Sequence, residues 1–354
     1  MIILIKNVVK GVIFMGLSGY MRGLNFGHWI SQYGELSDEH FSNFIVESDF
    51  EQVAKWGFDH IRLPIDYPVF YDEKTGEFIE KGLKYADFAI QTAKKYGLNV
   101  ILDLHRTPGY FFDDTYDKEK NSLFHNKKQQ EIFVSIWQMF AKRYINEGDN
   151  LYFELLNELV QETSDPWNEL WPKAVKAIEE ISPNRKILVG SNHWNNPDEL
   201  KYLKFIDDPN IIYNFHCYAP FLFTHQRASW NENMVAYPCS VTYPLNVKEH
   251  KKFFLDNDPW MLENFETVGK EQLKTFLQSA IDFKNEHNCK VYCGEFGVIE
   301  NADLKSTIRW INDIVDIFNE NGIGHSAWSY RGFAKITDEN RNAVSEEMIK
   351  ALSK

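Results

Sequence analysis

An α/β chain closed into a (β/α)8 barrel, the TIM-barrel architecture, is what the sequence predicts, on three observations. Short apolar, β-branched runs recur eight times along the 354 residues. Segments with helical periodicity lie between most of them. Some runs, such as ILDL and KILVG, are apolar throughout, as strands covered on both faces are. Eight strands alternating with helices suggest a parallel closed barrel. A doubly wound open sheet is the alternative with the same alternation.

In chain order, the expected strands are Arg22–Asn25, His60–Pro64, Asn99–Leu104, Leu151–Glu154, Lys186–Gly190, Ile211–Asn214, Lys290–Gly294 and Gly324–Ala327. Gly82–Tyr96, Gln129–Tyr144 and Lys270–Glu286 carry the helical pattern. The rhythm breaks between the sixth and seventh strands, where Ala219–Val268 reads as an inserted subdomain of about fifty residues. It contains Phe221, Phe223, His225, Trp230, Tyr237, Tyr243, Trp260 and Phe265, and insertions of this kind shape the active-site face of a barrel. Residues 21–354 therefore read as one catalytic barrel, with residues 219–268 inserted. Residues 1–20 read as an N-terminal extension. Its apolar stretch is too short and interrupted to span a bilayer and lacks a clear small-residue cleavage site. A weak signal peptide, a docking segment, or sequence upstream of a start at Met15 or Met21 all fit, so secretion and cytoplasmic residence stay open.

Composition narrows the partners. Hydrophobic residues are 44% and charged residues 25%, the balance of a globular chain with a substantial core. The net charge of −13 repels phosphate backbones and anionic lipids, which argues against nucleic acid and membrane partners. A neutral ligand is not penalised by that field. The 10 Trp and 17 Tyr suit flat ligands with polar edges, as sugar rings are. Cys217, Cys239, Cys289 and Cys293 form no CxxC and no disulfide framework, so they read as free thiols. A monomer is the default.

The chemistry sits where strands end. Arg62 lies in HIRLP, Asp103 and His105 in LDLH, and Asn157 and Glu158 in FELLNEL. His216 and Tyr218 follow in NFHCY, Glu295 in YCGEFG and Trp328 in SAWSY. Each alone is an ordinary rim residue. Six of eight strand ends marked this way converge on one mouth of a parallel barrel. Two glutamates at that mouth suit glycoside hydrolysis, which needs one protonated and one ionised carboxyl group. Arg62 beside Glu295 would favour the carboxylate, and Tyr218 could fix its rotamer. Asn157 could bind a sugar 2-hydroxyl, and Trp328 could lie under the sugar at the cleavage point. Trp29, Tyr110, Phe112, Trp194 and Trp230, after strands or in the insertion, are candidate platforms for further sugar units.

These stretches, with GLNFGHWISQY, GFDHIRLPIDYP, ILDLHRTPGYFF and NFHCYAPFLFTHQ, resemble glycoside hydrolase family 5 of the clan A barrels. The similarity is greatest to single-domain endoglucanases of clostridial type, and it runs from about Arg22 to the C-terminus. It implies an eight-stranded barrel, retention of configuration, no metal and no organic cofactor. It places Glu158 on the acid/base position and Glu295 on the nucleophile. Arg62, His105, Asn157, His216, Tyr218 and Trp328 fall on its other active-site positions. β-1,4-Glucan is the substrate it favours, with mixed-linkage β-glucan next and mannan, glucomannan or xyloglucan as alternatives. The first twenty residues match nothing in the family.

Other chemistries fit poorly. There is no HExxH, no GxSxG elbow and no glycine-rich phosphate loop after the first strand. Asp113, Asp114 and Asp117 form an acidic loop without an EF-hand pattern, and read as solvated. A non-catalytic carbohydrate-binding barrel is the reading from a different class, but such a chain would have lost one of the two glutamates.

Overall fold

The computed structural model describes residues 16–112 and 121–354. The acidic loop with Asp113, Asp114 and Asp117, and most of the expected N-terminal extension, lie outside the described residues. Eight parallel strands close into a barrel. They are β1 (Arg22–Asn25), β2 (His60–Asp66), β3 (Asn99–Arg106), β4 (Leu151–Glu154), β5 (Ile187–Gly190), β6 (Ile211–Cys217), β7 (Lys290–Phe296) and β8 (Gly324–Ala327). Neighbours pair in sequence order and β1 pairs with β8, which rules out the open sheet. The expected strands agree closely. β2, β3, β6 and β7 run two or three residues further, into the functional motifs.

The helices are α1 (Glu47–Lys55), α2 (Glu80–Lys95), α3 (Lys127–Arg143), α4 (Asp165–Glu179), α5 (Lys270–His287), α6 (Leu304–Glu320) and α7 (Glu346–Leu352). Each buries an apolar face. In α6 these are Trp310, Ile311, Ile314, Val315, Ile317 and Phe318, the spacing of a single helical stripe. Between β5 and β6 the connection is a left-handed turn and a 3₁₀ helix, Pro197–Tyr202. Residues 219–268 form short helices and a two-stranded sheet pairing Leu245–Asn246 with Thr267–Val268. Phe223, Met234, Tyr243, Phe253, Phe254 and Met261 are buried there and continuous with the main core.

Alternation along the strands sorts the barrel interior into levels. Ile101, Tyr152, Leu188, Ile212 and Tyr292 form a floor separate from the outer core. Leu17 and Tyr20 join that floor, and the Tyr20 ring stacks on Tyr152 at 3.7 Å. Both residues belong to the expected extension 1–20, and their side chains pack against the N-terminal end of the closed sheet. At the next level six of the eight strands turn a polar residue inward, Asn25, Arg62, Asp103, Glu154, Asn214 and Ser326, all fully buried, while β5 and β7 carry Gly190 and Gly294 there.

Candidate active site

The polar level is organised by one guanidinium. Arg62 has no exposed surface. Its Nε and Nη2 donate to the two oxygens of Glu154, at 2.7 Å each. Its Nη1 donates to Asn25 Oδ1 at 2.9 Å and to Glu295 Oε1 at 2.8 Å. Its Nη2 also donates to Asn157 Oδ1 at 2.8 Å and pairs with Asp103 Oδ2 at 3.0 Å. One cation thus faces three buried carboxyl groups. Burial pushes Asp103 and Glu154 up to about 7, although Arg62 pulls both down.

Glu295 reaches the mouth through a backbone irregularity. Cys293 pairs with Phe215 and Glu295 pairs with His216, which leaves Gly294 as an extra residue in β7. Strict alternation would turn Glu295 toward the helices; the bulge turns it inward. Glycine is required there, because a Cβ at Gly294 would come within 2.8 Å of His216 Nε2 and 2.9 Å of the Asn214 amide. Glu295 Oε2 then accepts the Tyr218 hydroxyl at 2.9 Å. Burial raises the Glu295 carboxyl above its ordinary range, with Arg62, His105 and the Tyr218 hydrogen bond opposing the rise.

Glu158 is delivered by the loop after β4, with φ of 42°, in the left-handed region. The Tyr110 hydroxyl clamps this turn: it donates to the Glu158 carbonyl oxygen at 2.8 Å and accepts the Val160 N–H at 2.7 Å. The Glu158 carboxyl group meets His216, whose Nδ1 lies 2.9 Å from Glu158 Oε1 and 3.7 Å from Glu295 Oε2. Carboxylate oxygens of Glu158 and Glu295 and His216 Nδ1 all lie within 4.8 Å of one another. By distance alone these three groups could hold a divalent ion. His105 Nδ1 is 2.7 Å from Asp103 Oδ2, its Nε2 is 3.3 Å from Asn157 Nδ2, and its ring stacks on Trp328 at 5.8 Å. Trp328 lies over Gly27, where a Cβ would come within 2.7 Å of the indole. All nine residues singled out at the strand ends, Arg62, Asp103, His105, Asn157, Glu158, His216, Tyr218, Glu295 and Trp328, gather in this one cluster.

The outer platforms divide. Trp194 and Trp230 are exposed, at 45% and 55%. Trp230 lies 4.9 Å from Phe333, which lies 6.1 Å from Trp328, so aromatic rings lead outward from the mouth. Phe112 stands edge-on to His105 at 5.6 Å and is nearly buried. Two expectations are corrected. Trp29 is fully buried and its indole donates to the Phe41 carbonyl at 2.7 Å, so it packs the core and offers no face to a sugar. Tyr110 is 1% exposed and its hydroxyl is spent on the Glu158 turn. Sequence reading missed Asn25, Glu154, Asn195, Asn214 and Phe333. Glu154 carried a usable signal, a charged residue inside an apolar strand four positions before Glu158. The others had none beyond lying near strand ends.

Residues 23–334 match the family model described as cellulase, glycosyl hydrolase family 5. The chain is 45% identical to Endoglucanase C of Acetivibrio thermocellus, over 95% of this chain and 98% of that protein. It is 36% identical to Cellodextrinase A of Ruminococcus flavefaciens, over 86% and 84%. Among solved structures it is similar to an endoglucanase with a TM-score of 0.77 at 25% identity, covering 95% of this chain and 97% of that one.

Proposed function

Because the chain belongs to glycosyl hydrolase family 5 and is a glycoside hydrolase, we propose that it is an endo-acting, retaining β-glucanase that cleaves β-1,4-glucosidic bonds. Cellulose-type and mixed-linkage β-glucans are the proposed substrates. The reading rests on the carboxylate oxygens of Glu158 and Glu295 lying within 4.8 Å of each other. Retaining enzymes hold their carboxyl groups about 5–5.5 Å apart, whereas inverting enzymes leave room for a water at about 6.5–9.5 Å.

Glu158 protonates the departing glycosidic oxygen while Glu295 attacks the anomeric carbon. The transition state carries positive charge on the sugar ring, and a glycosyl ester of Glu295 follows. Glu158, now ionised, takes a proton from water, which attacks the same carbon and releases the sugar with its configuration kept. Asn157 is anchored through Oδ1 to Arg62, so its Nδ2 is oriented to donate to the sugar 2-hydroxyl. Trp328 forms the floor beneath the ring. The names of the two curated relatives, an endoglucanase and a cellodextrinase, support a β-glucan substrate.

Reducing-end release from carboxymethyl cellulose, barley β-glucan and mannan tests the substrate, and release from the glucans alone is expected. Proton NMR of the first product tests the stereochemistry. The β-anomer should appear first; an initial α-anomer would overturn the double displacement. The pH profile supplies a further check. Burial raises Glu295, so activity should fall on the acid side above the ordinary glutamate range as Glu295 takes up a proton. Tyr218→Phe removes a hydrogen bond that favours the ionised form. Its acid limb in kcat/KM should move to higher pH by roughly one unit. An unmoved limb would mean that another group sets it.

A further inference from the structure

We propose that Asn195 is a positioning residue for the acid/base: its amide fixes the tautomer of His216 so that the ring donates a hydrogen bond to Glu158 and leaves the Glu158 proton to the substrate. This rests on Glu158 being the acid/base. The Asn195 Nδ2 lies 3.1 Å from His216 Nε2, on the side of the ring away from the two carboxyl groups. A neutral imidazole has one donor and one acceptor nitrogen. Burial holds His216 neutral, with Arg62 and His105 acting in the same sense. An amide N–H aimed at Nε2 occupies its lone pair and places the ring hydrogen on Nδ1. There it faces Glu158 at 2.9 Å and Glu295 at 3.7 Å, with Tyr218 bound to Glu295 beside it.

The opposite tautomer would be harmful. It would present a lone pair to Glu158, and the acid's proton would be drawn to the histidine instead of the glycosidic oxygen. His105 shows the same device at the same site: Asp103 sits on its Nδ1 at 2.7 Å and the Asn157 amide on its Nε2 at 3.3 Å. Asn195 does for His216 what Asn157 does for His105.

The backbone around Asn195 is built for that placement. His193, Trp194 and Asn195 have φ of 48°, 57° and 55°, three successive residues in a region that side chains with a Cβ disfavour. The turn is pinned by the Trp194 N–H donating to the Leu159 carbonyl at 2.9 Å, one residue beyond Glu158. Gly190 leaves the room, since a Cβ there would come within 2.5 Å of Asn195 Oδ1. Asn195 is fully buried, and its Oδ1 has no hydrogen-bond partner among the described residues. Its one side-chain hydrogen bond among those residues is therefore the one to the histidine.

The test compares wild type with Asn195→Ala. In wild type, nitrogen-15 NMR of the His216 ring should show the hydrogen on Nδ1, and in N195A a mixture of tautomers. Cleavage of cello-oligosaccharide, whose leaving group needs protonation, should fall roughly 10- to 100-fold in N195A. Cleavage of an aryl cellobioside with an acidic phenol leaving group, which needs little acid help, should fall less than about 3-fold. Equal losses on both substrates would reveal a merely structural residue and overturn the proposal. So would a wild-type His216 carrying its hydrogen on Nε2, a readout that needs no variant. Wild type inert on both substrates would sink the glucanase reading instead, while the ring spectrum would still decide the tautomer.

Discussion

Glu295→Gln should lower kcat on β-glucan by at least about 10,000-fold, about 5.5 kcal/mol of lost transition-state stabilisation. The amide cannot form the glycosyl ester, although it keeps the shape of the side chain and can still meet Tyr218 and Arg62. Secondary structure and thermal midpoint should therefore stay close to wild type. Aryl glycosides should not restore the variant, because the lost step is the attack itself and not the departure. Glu158→Gln should behave differently. Its first step should recover on a substrate with an acidic phenol leaving group, and added azide should speed release by replacing the base-assisted water. This pair of results separates nucleophile from acid/base. A Glu295→Gln variant within about tenfold of wild type would remove Glu295 from the reaction path.

Arg62→Met should be the most destabilising single change at the site, at about 3–5 kcal/mol, because it strands buried carboxyl groups that now share one cation. Glu154, Asp103 and Glu295 all lie within 3.0 Å of its nitrogens. The cost should depend on pH with a definite sign. Burial raises Asp103 and Glu154 to about 7 in the folded protein, above their unfolded values. A raised carboxyl contributes stability below the unfolded value and loses it as pH rises through the folded one. Without Arg62 the folded values climb further, so the loss continues beyond the pH where wild type has levelled. The stability gap measured by urea unfolding should therefore widen above about pH 7. A gap that narrows there would contradict the shared-cation account. Should the Met variant fail to fold, Arg62→Lys keeps the charge but not the fork of donors. It should fold with a lower midpoint and lose most activity.

The cluster at the barrel mouth was legible for a specific reason. Parallel strands expose their C-terminal ends on one side, so residues at those ends meet however far apart they lie in the chain. Arg62 and Glu295 are separated by 233 positions, yet both follow apolar runs that announce strands. The platforms were less legible. Trp29 and Trp230 look alike in sequence, as tryptophans near polar loops. One is buried against Phe41 and the other is 55% exposed, a difference set by the path of loops that no period encodes. Glu154 stood out as a charge inside an apolar strand, but its partner, Arg62, is set by the closed barrel.

By itself the sequence determined the barrel, the positions of its strands and the residues gathered at its mouth. Apolar runs, helical stripes and strand-end polarity are local patterns with fixed periods, and a closed parallel sheet turns them into one site. The tertiary structure alone decided how those residues face each other. The Gly294 bulge, the left-handed turns at Glu158 and at His193 to Asn195, and the sharing of Arg62 among three carboxyl groups set rotamers, tautomers and proton positions. These depend on contacts between strands far apart in the chain, in a buried medium where a shift of an ångström changes which group holds a proton.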